Sequence, residues 1–323
     1  MLIRRVLRPA GLLLCLLLIA ASTAHAERGP DIPDSPAEEV APGVYFLYGD
    51  LGYPSPQNDG FMSNASFIVT DDGVIVVDTG SSVQIGEMIL RQIRKVTDKP
   101  LLAVLNTHVH GDHWLGNQAM LAEAPDVPIY AHPNMHRLVA EGAGERWLET
   151  MMQATDGAVA GTEPMGPTHT LDDGEILIVG GLTIKAHHYP KVHSTSDLMF
   201  EIPERGVLFL ADNANNRRIV RMDDGSFRGS LDALDDIRER VDATVLIPGH
   251  GRPGGWEIVE AYRGYLDGLY TGVADLYDEG MSDFEMKPRL IEQLKRYQDW
   301  SGFEDELGKH ISLVYLEVEA EAF

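Results

Sequence analysis

The 323-residue chain has a single cysteine, Cys15. That excludes an intramolecular disulfide and any thiolate-rich metal cluster, so a transition metal would have to be held by histidines and carboxylates. Positive charge is scarce as well: 26 Lys and Arg stand against 50 Asp and Glu, a formal net charge of −24. No basic footprint of the kind phosphate backbones demand is present, which argues against nucleic acid as a partner. Long apolar runs are missing except for Ala10 to Ala21, about a dozen residues where a membrane-spanning helix needs roughly 20. There is no heptad pattern, low-complexity tract or repeat of solenoid period. What is present, 44% hydrophobic residues, suffices for one large domain or two modest ones and excludes disorder throughout.

The apolar run follows Arg4, Arg5 and Arg8 and precedes Ala24-His25-Ala26, the order of charge, apolar stretch and small residues of a secretory signal peptide. Residues 1–26 are therefore expected to be removed and the mature protein to be periplasmic or secreted, with no stable membrane anchor. Cys15 follows Leu14 rather than a small residue, which disfavours lipid attachment, and no Ser or Thr precedes the Arg4-Arg5 pair, which favours general secretion over twin-arginine export. Removing this segment deletes three arginines and no acid, leaving 23 basic and 50 acidic residues and no cysteine. Residues 27–42, rich in proline and acid, read as a flexible lead-in.

Between 43 and 253 short β-branched runs alternate with helical periodicity. Strands are expected at 44–48, 66–70, 74–78, 101–105, 175–179, 182–186, 198–202, 207–211 and 244–247, with helices at 82–96, 114–123 and 230–240. Strands in both halves with helices interleaved indicate a layered α+β or α/β domain. From 254 to 323 the strands stop. Three aromatic-rich helices, at 256–280, 283–300 and 303–323, form a C-terminal extension whose aromatics are expected to pack against the main body.

The most informative stretch is His108-Val-His110-Gly-Asp112-His113. It follows an apolar strand, so alternation would point His108 and His110 the same way, and a turn at Gly111 would bring Asp112 and His113 round from another direction. Four candidate ligands in six residues exceed what one catalytic zinc needs and could feed two neighbouring cations. Asp212, His250 and His193 lie in loops bordering other apolar strands, where functional groups usually sit on a layered scaffold.

Taken in order, Asp78 in Val-Asp-Thr-Gly, the 108–113 motif, His193, Asp212 in Leu-Ala-Asp-Asn and His250 in Ile-Pro-Gly-His-Gly resemble the metallo-β-lactamase superfamily over residues 40 to 252. The resemblance implies a four-layer αββα sandwich with two metal ions, usually zinc, with iron or manganese as alternatives. His108, His110 and His193 would bind the first, and Asp112, His113 and His250 the second. Asp212 would bridge them, and Asp78 would support the metal-binding loop. Water or hydroxide on such a site, its pKa lowered towards 7, would attack a small ester, lactone, thioester or amide. Asp112 would orient that nucleophile and pass a proton to the leaving group, or serve as a ligand alone.

Details of the loops look like exported members found with sulfur-oxidation or quinoprotein systems. Two other readings follow: a mononuclear iron oxygenase of thiols or persulfides, and a non-catalytic periplasmic accessory protein. Asn215 stands where common zinc β-lactamases carry a substrate-gripping lysine, which disfavours β-lactam hydrolysis. Arg217 or Arg218 could bind an anion instead, but both are expected at the surface. The partner is expected to be a small-molecule substrate, and the sequence assigns no oligomeric state. His132, His187 or His188 could line or brace the site; His136, His169 and His310 are expected to be surface or packing residues. Trp114 and Leu115 are expected in the core.

Overall fold

The computed structural model describes residues 28–322, so the signal-peptide assignment to 1–26 lies outside the described residues. Two sheets form the centre. The first runs β1 (Glu38–Ala41), β2 (Val44–Leu47), β3 (Ala65–Val69), β4 (Val74–Val77), β5 (Leu101–Leu105), β6 (Ile129–Ala131) and β7 (His169–Thr170), adjacent in chain order. The second holds β8 (Ile176–Val179), β9 (Leu182–His188), β10 (Leu198–Ile202), β11 (Val207–Ala211) and β12 (Val245–Pro248), again neighbour to neighbour. Helices α1 (Val83–Val96), α2 (Gly111–Trp114), α3 (Asn117–Glu123), α4 (Pro133–Ala140) and α5 (Ala143–Ala154) belong to the first half. The second half carries α6 (Phe227–Arg240), α7 (Glu257–Asp278), α8 (Asp283–Gln293) and α9 (Phe303–Glu321).

Alternation along the buried strands builds the layers. In β4, Ile75 and Val77 face the second sheet and join Phe200, Phe209 and Ile247, while Val74 and Val76 face outward onto Ile85, Met88 and Ile89 of α1. In β11, Phe209 faces inward, whereas Leu208 and Leu210 meet Leu234 of α6 and Tyr262 and Leu266 of α7. The result is an α+β sandwich of four layers, αββα. Helices α7–α9 are continuous with the outer core of the second sheet, so the C-terminal aromatics Tyr262, Tyr265 and Trp300 are core residues.

Three features differ from the sequence reading. Residues 38–41 fall within the expected lead-in but form β1, with Ala41 buried and Glu39 paired with Tyr45; Glu38 and Glu39 disguise an edge strand whose side chains reach solvent. Helices α4 and α5 were not anticipated, although Pro133 at the first helical position and the spacing of Met135, Leu138 and Val139 encode the first of them. Likewise the expected helix at 114–123 is two pieces: a single turn, α2, and then α3 after Gly116.

The parallel pairs β4/β5 and β11/β12 set the site. Their C-terminal ends lie at one edge of the sandwich, and the loops that leave them carry Asp78, His108 to His113, Asp212 and His250. The chain turns sharply there: Asp78 and Ala211 hold positive φ angles of 56° and 49°. Such backbone is unfavourable for a residue with a Cβ and persists only where the surroundings over-determine it.

Candidate metal centre

His108, His110, Asp112, His113, His193, Asp212 and His250 are all buried and meet at this edge. Three sets of ligand atoms each fall within 4.8 Å of one another: His108, His110 and His193; His108, His113 and Asp212; Asp112, His113 and His250. The strand alternation expected for His108 and His110 does not operate, because β5 stops at Leu105. His110 instead caps α2, and that single turn delivers Asp112 and His113 from its first residues.

Surrounding groups fix which ring nitrogen faces inward, as assigned from the hydrogen-bond network. His113 Nδ1 donates to Asp78 Oδ2 at 2.7 Å, and His250 Nδ1 to the Met62 carbonyl at 2.9 Å. Thr107 Oγ1 donates to Asp78 Oδ2 at 2.8 Å, so it accepts from His108 Nδ1 at 3.1 Å. His110 Nε2 donates to Asp224 Oδ2 at 3.3 Å. The inward nitrogens of these rings are thus left as lone-pair acceptors, and they face further acceptors. His250 Nε2 lies 3.4 and 3.3 Å from Asp112 and Asp212 Oδ2, and acceptors so gathered repel one another unless a cation lies between them. His193 has no partner on Nδ1, and its Nε2 lies 2.8 Å from His110 Nδ1 and 3.4 Å from Asp212 Oδ2, where it donates to one of them unless a metal ion takes the proton's place.

The spacing fits such a cation. Ligands at about 2.0–2.1 Å from a tetrahedral zinc are separated from each other by about 3.3 Å, close to the 3.4 and 3.6 Å from His113 Nε2 to Asp112 Oδ2 and Asp212 Oδ1. His108 Nε2, His113 Nε2 and Asp212 Oδ1 are moreover buried without any hydrogen-bond partner, a costly condition that metal ligation relieves. Charge and burial pull the cluster in different directions: burial lowers His113, but Asp112, Asp212 and Asp78 outweigh it and raise this ring well above its usual pKa, so positive charge, as a proton or a metal ion, belongs between these carboxylates. Burial, reinforced by neighbouring imidazoles, lowers His108 well below its usual pKa and His193 to about 3, keeping both neutral and able to ligate. Burial alone would raise Asp212, but His250 and His113 hold its carboxyl well below the usual range.

A further ring of residues holds the ligands in place, and most of it is invisible in sequence. Asn64 receives the Gly49 N–H at 3.2 Å and donates to the Pro248 carbonyl at 2.9 Å, tying β3 to the His250 loop. Asn215 Oδ1 accepts the His250 N–H at 2.8 Å, so its role here is structural. The His193 loop is pinned by buried Asp197, which accepts from Ser194 Oγ at 2.7 Å, and by Ser196 Oγ, which accepts the Val109 N–H at 3.1 Å. A Cβ on Gly249 would sit 2.0 Å from Asp212 Oδ1 and 3.1 Å from His113 Cε1, so only glycine lets the β12 loop approach this closely. Exchanging Asp78 for asparagine, which removes the charged acceptor on His113, is expected to weaken metal affinity about ten- to hundredfold. Chelator competition reads this directly, and unchanged affinity would show that Asp78 does not orient His113.

Other histidines lie apart from the cluster. His132 caps α4 through Nδ1 and stacks on His188 with centroids 3.7 Å apart; His187 bonds Glu201 at 3.0 Å; His136 bonds the His169 carbonyl at 3.0 Å. Trp114 and Leu115 are core residues, as expected. Above the ligands opens a cleft of about 360 Å³, and of the wall residues that follow the sequence reading singles out only Arg218. Trp147 and Met151 come from α5, Arg218 and Arg221 from the loop after β11, Tyr53 from the loop after β2, and Glu306 and Lys309 from α9. Only Arg217 of the two candidate arginines is a surface residue; Arg218 is 2% exposed.

An αββα sandwich with a histidine and aspartate cluster at the ends of its parallel strand pairs defines a metallohydrolase-type scaffold. The chain belongs to the metallo-beta-lactamase superfamily, whose sequence model matches residues 58–250. It is 25% identical over 281 residues to a linear primary-alkylsulfatase of Pseudomonas sp. (strain ATCC 19151), covering 76% of this chain and 52% of that protein. It is 26% identical over 191 residues to an atrochrysone carboxyl ACP thioesterase of Emericella nidulans, covering 59% and 50%. The chain thus spans about half the length of these two relatives. Among solved structures, the sec-alkylsulfatase Pisa1 from Pseudomonas sp. superposes with a TM-score of 0.65 at 19% identity, over 88% of this chain and 50% of that one. A metallo-beta-lactamase from Pontibacter korlensis gives 0.59 at 17%, over 72% and 99%. Both structural likenesses are in fold.

Proposed function

We propose that the chain is an exported metal-dependent hydrolase with two divalent cations, zinc in the first instance, acting on a small ester or thioester. The observation that carries this reading is the set of seven buried ligand side chains, three of them with inward atoms lacking any hydrogen-bond partner, spaced as ligands of a shared cation would be. His108, His110 and His193 would hold one ion, Asp112, His113 and His250 the other, and Asp212 both. Ions so held supply Lewis acidity towards a carbonyl or sulfuryl oxygen and a lowered water pKa. Asp112 reaches the cleft and is the group positioned to orient the attacking water and to hand its proton to the leaving oxygen or sulfur. No serine or cysteine nucleophile is required. Trp147 and Met151 offer an apolar wall for the substrate's body.

Named hydrolases among the relatives, a sulfatase and a thioesterase, support an ester-type bond as the target. Export rests on the 1–26 pattern, and no helix of the described residues is long and apolar enough to cross a membrane. The test is metal analysis joined to a substrate screen on the mature chain. Close to two metal ions per chain, with turnover of at least one alkyl sulfate, carboxylic ester, lactone or thioester that chelation abolishes, is the expected result. Less than about one ion per chain after careful reconstitution would sink the dinuclear reading.

A further inference from the structure

Resting on the hydrolase reading, we infer that the substrate is a carboxylic ester or thioester with an extended apolar acyl chain, which passes Trp147 into a second chamber between α4, α5 and the His193 loop. That chamber, of about 520 Å³, adjoins the cleft above the ligands: Trp147, Thr150 and Arg221 line both. Each has the size of a small-molecule subsite. Trp147 is the partition. Its ring meets the His110 imidazole with centroids 5.0 Å apart and lies under the Arg221 guanidinium at 5.5 Å. Helix α2 packs closely against it, since a Cβ on Gly111 would sit 2.7 Å from Trp147 Cβ.

Position decides which half of the substrate enters. Asp112 and His250, of the second ligand set, line the first cleft, and Asp112 is the group placed to protonate the leaving atom. The chamber instead borders the first set: Val109 stands between His108 and His110, Ser194 follows His193, and Asp224 holds the outer nitrogen of His110 at 3.3 Å. Hydrolysis breaks the bond from the acyl carbon to oxygen or sulfur, water adding its hydroxyl to the carbon and its proton to the departing alcohol or thiol. The leaving half therefore departs over Asp112, and the acyl half extends past His110 towards the chamber. A sulfate ester carries only oxygens beyond its sulfur and would leave the chamber unused.

Charge decides the chemistry of that half. Arg137 is matched by both oxygens of Glu141 at 2.9 and 2.8 Å, Arg221 by Asp223 at 2.9 Å, and Asp224 by His110. Arg146 is exposed, and water solvates it. No buried charge waits there for a counter-ion, so a charged substrate group gains little. What the chamber offers is hydrocarbon: Val109, Leu138, Ala143 and Trp147, which pack as one apolar cluster. Apolar surface of this kind binds an alkyl chain by removing it from water.

The experiment compares two ester series on the metal-loaded protein: p-nitrophenyl esters with acyl groups from acetyl to octanoyl, and acetates of alcohols from ethanol to octanol. Each methylene drawn out of water is worth up to about fourfold, so kcat/KM is expected to rise at least about thirtyfold from acetyl to octanoyl. Leu138→Trp fills the chamber from α4, and Thr150→Trp narrows the passage from an exposed position where the two cavities meet. In both, the acyl-length gain is expected to fall below about fivefold, while the gain with alcohol length stays as in wild type. A wild-type acyl-length gain below about fivefold overturns the inference, whether or not the variants fold. So does an undiminished gain in both folded variants, or a loss confined to the alcohol series. Failure of the hydrolase reading looks different: neither series is turned over, yet calorimetric titration shows decan-2-one, an unhydrolysable analogue of the long acyl ester, binding at least about tenfold tighter than butan-2-one to wild type and not to Leu138→Trp. Turnover without an acyl-length gain leaves the hydrolase reading intact and removes the chamber from it.

Discussion

Replacing His110 by alanine is expected to lower ester turnover by at least about a thousandfold, a loss of about 4 kcal/mol of transition-state stabilisation, while the chain stays folded. The two effects separate because of where the ring lies. His110 Nδ1 faces His193 Nε2 at 2.8 Å in the centre of the first ligand set, whereas its outer edge meets Trp147 and Asp224 at the mouth of the cleft rather than the hydrophobic core. Without it the first ion would keep His108, His193 and the Asp212 carboxylate it shares with the second. Metal content is therefore expected to fall towards about one ion per chain, since a site with two ligands of its own and one shared competes poorly for its cation. Kinetics on the best substrate of the screen, metal analysis and thermal unfolding measure the three quantities. Turnover within tenfold of wild type would show that the His108, His110 and His193 set is not where the reaction occurs.

Acid is expected to destabilise the protein through His310, a residue outside the metal centre. This imidazole is fully buried between α7, α9 and the loop after β11. Its Nε2 donates to the Val220 carbonyl at 2.9 Å and its Nδ1 accepts from the Tyr265 hydroxyl at 2.9 Å, an arrangement that requires the neutral ring. Burial pushes its pKa down from 6.5 to about 4. The sign follows: between those values the unfolded chain takes up a proton that the folded chain refuses, so stability is fully present above about 6.5 and drains away as pH falls towards 4. The interval corresponds to about 3 kcal/mol. Urea unfolding across this range should show the loss in wild type, and a flatter profile in His310→Gln, whose amide can still donate to Val220 but does not titrate. Identical slopes would mean that the ring is protonated in the folded state.

Much of this was legible in the residues because burial on both faces writes strands as continuous apolar runs. Val74–Val77, Leu101–Leu105, Leu198–Ile202 and Val207–Ala211 fall within a residue of their expected limits. The histidine motif was legible because chemistry concentrates its ligands in six consecutive positions. What escaped notice depends on long-range approach. Helix α5 buries only Ala143, Gly144 and Met151 and leaves much of its length to solvent, yet it contributes Trp147 and Met151 to the cleft. Arg218 looked like a surface charge because the segments that bury it, residues 51–53 and 301, lie far away along the chain. Asn64 and Asn215 are single polar residues whose importance comes wholly from which backbone groups reach them.

The helices after residue 253 invite a different view of what counts as the inherited unit. The superfamily's sequence model ends at 250, but the outer face of the second sheet is covered by these helices together with α6: Leu208, Leu210 and Leu246 share one apolar cluster with Leu234, Tyr262, Leu266 and Leu269. The border of the sequence model is therefore not the border of the cooperative unit. A lineage that remodelled these helices could not alter them freely, because the same segment that keeps the sheet dry also places Glu306, Lys309 and the Arg218 loop around the cleft. Changes in specificity and changes in solubility would then arise together, from one stretch of sequence.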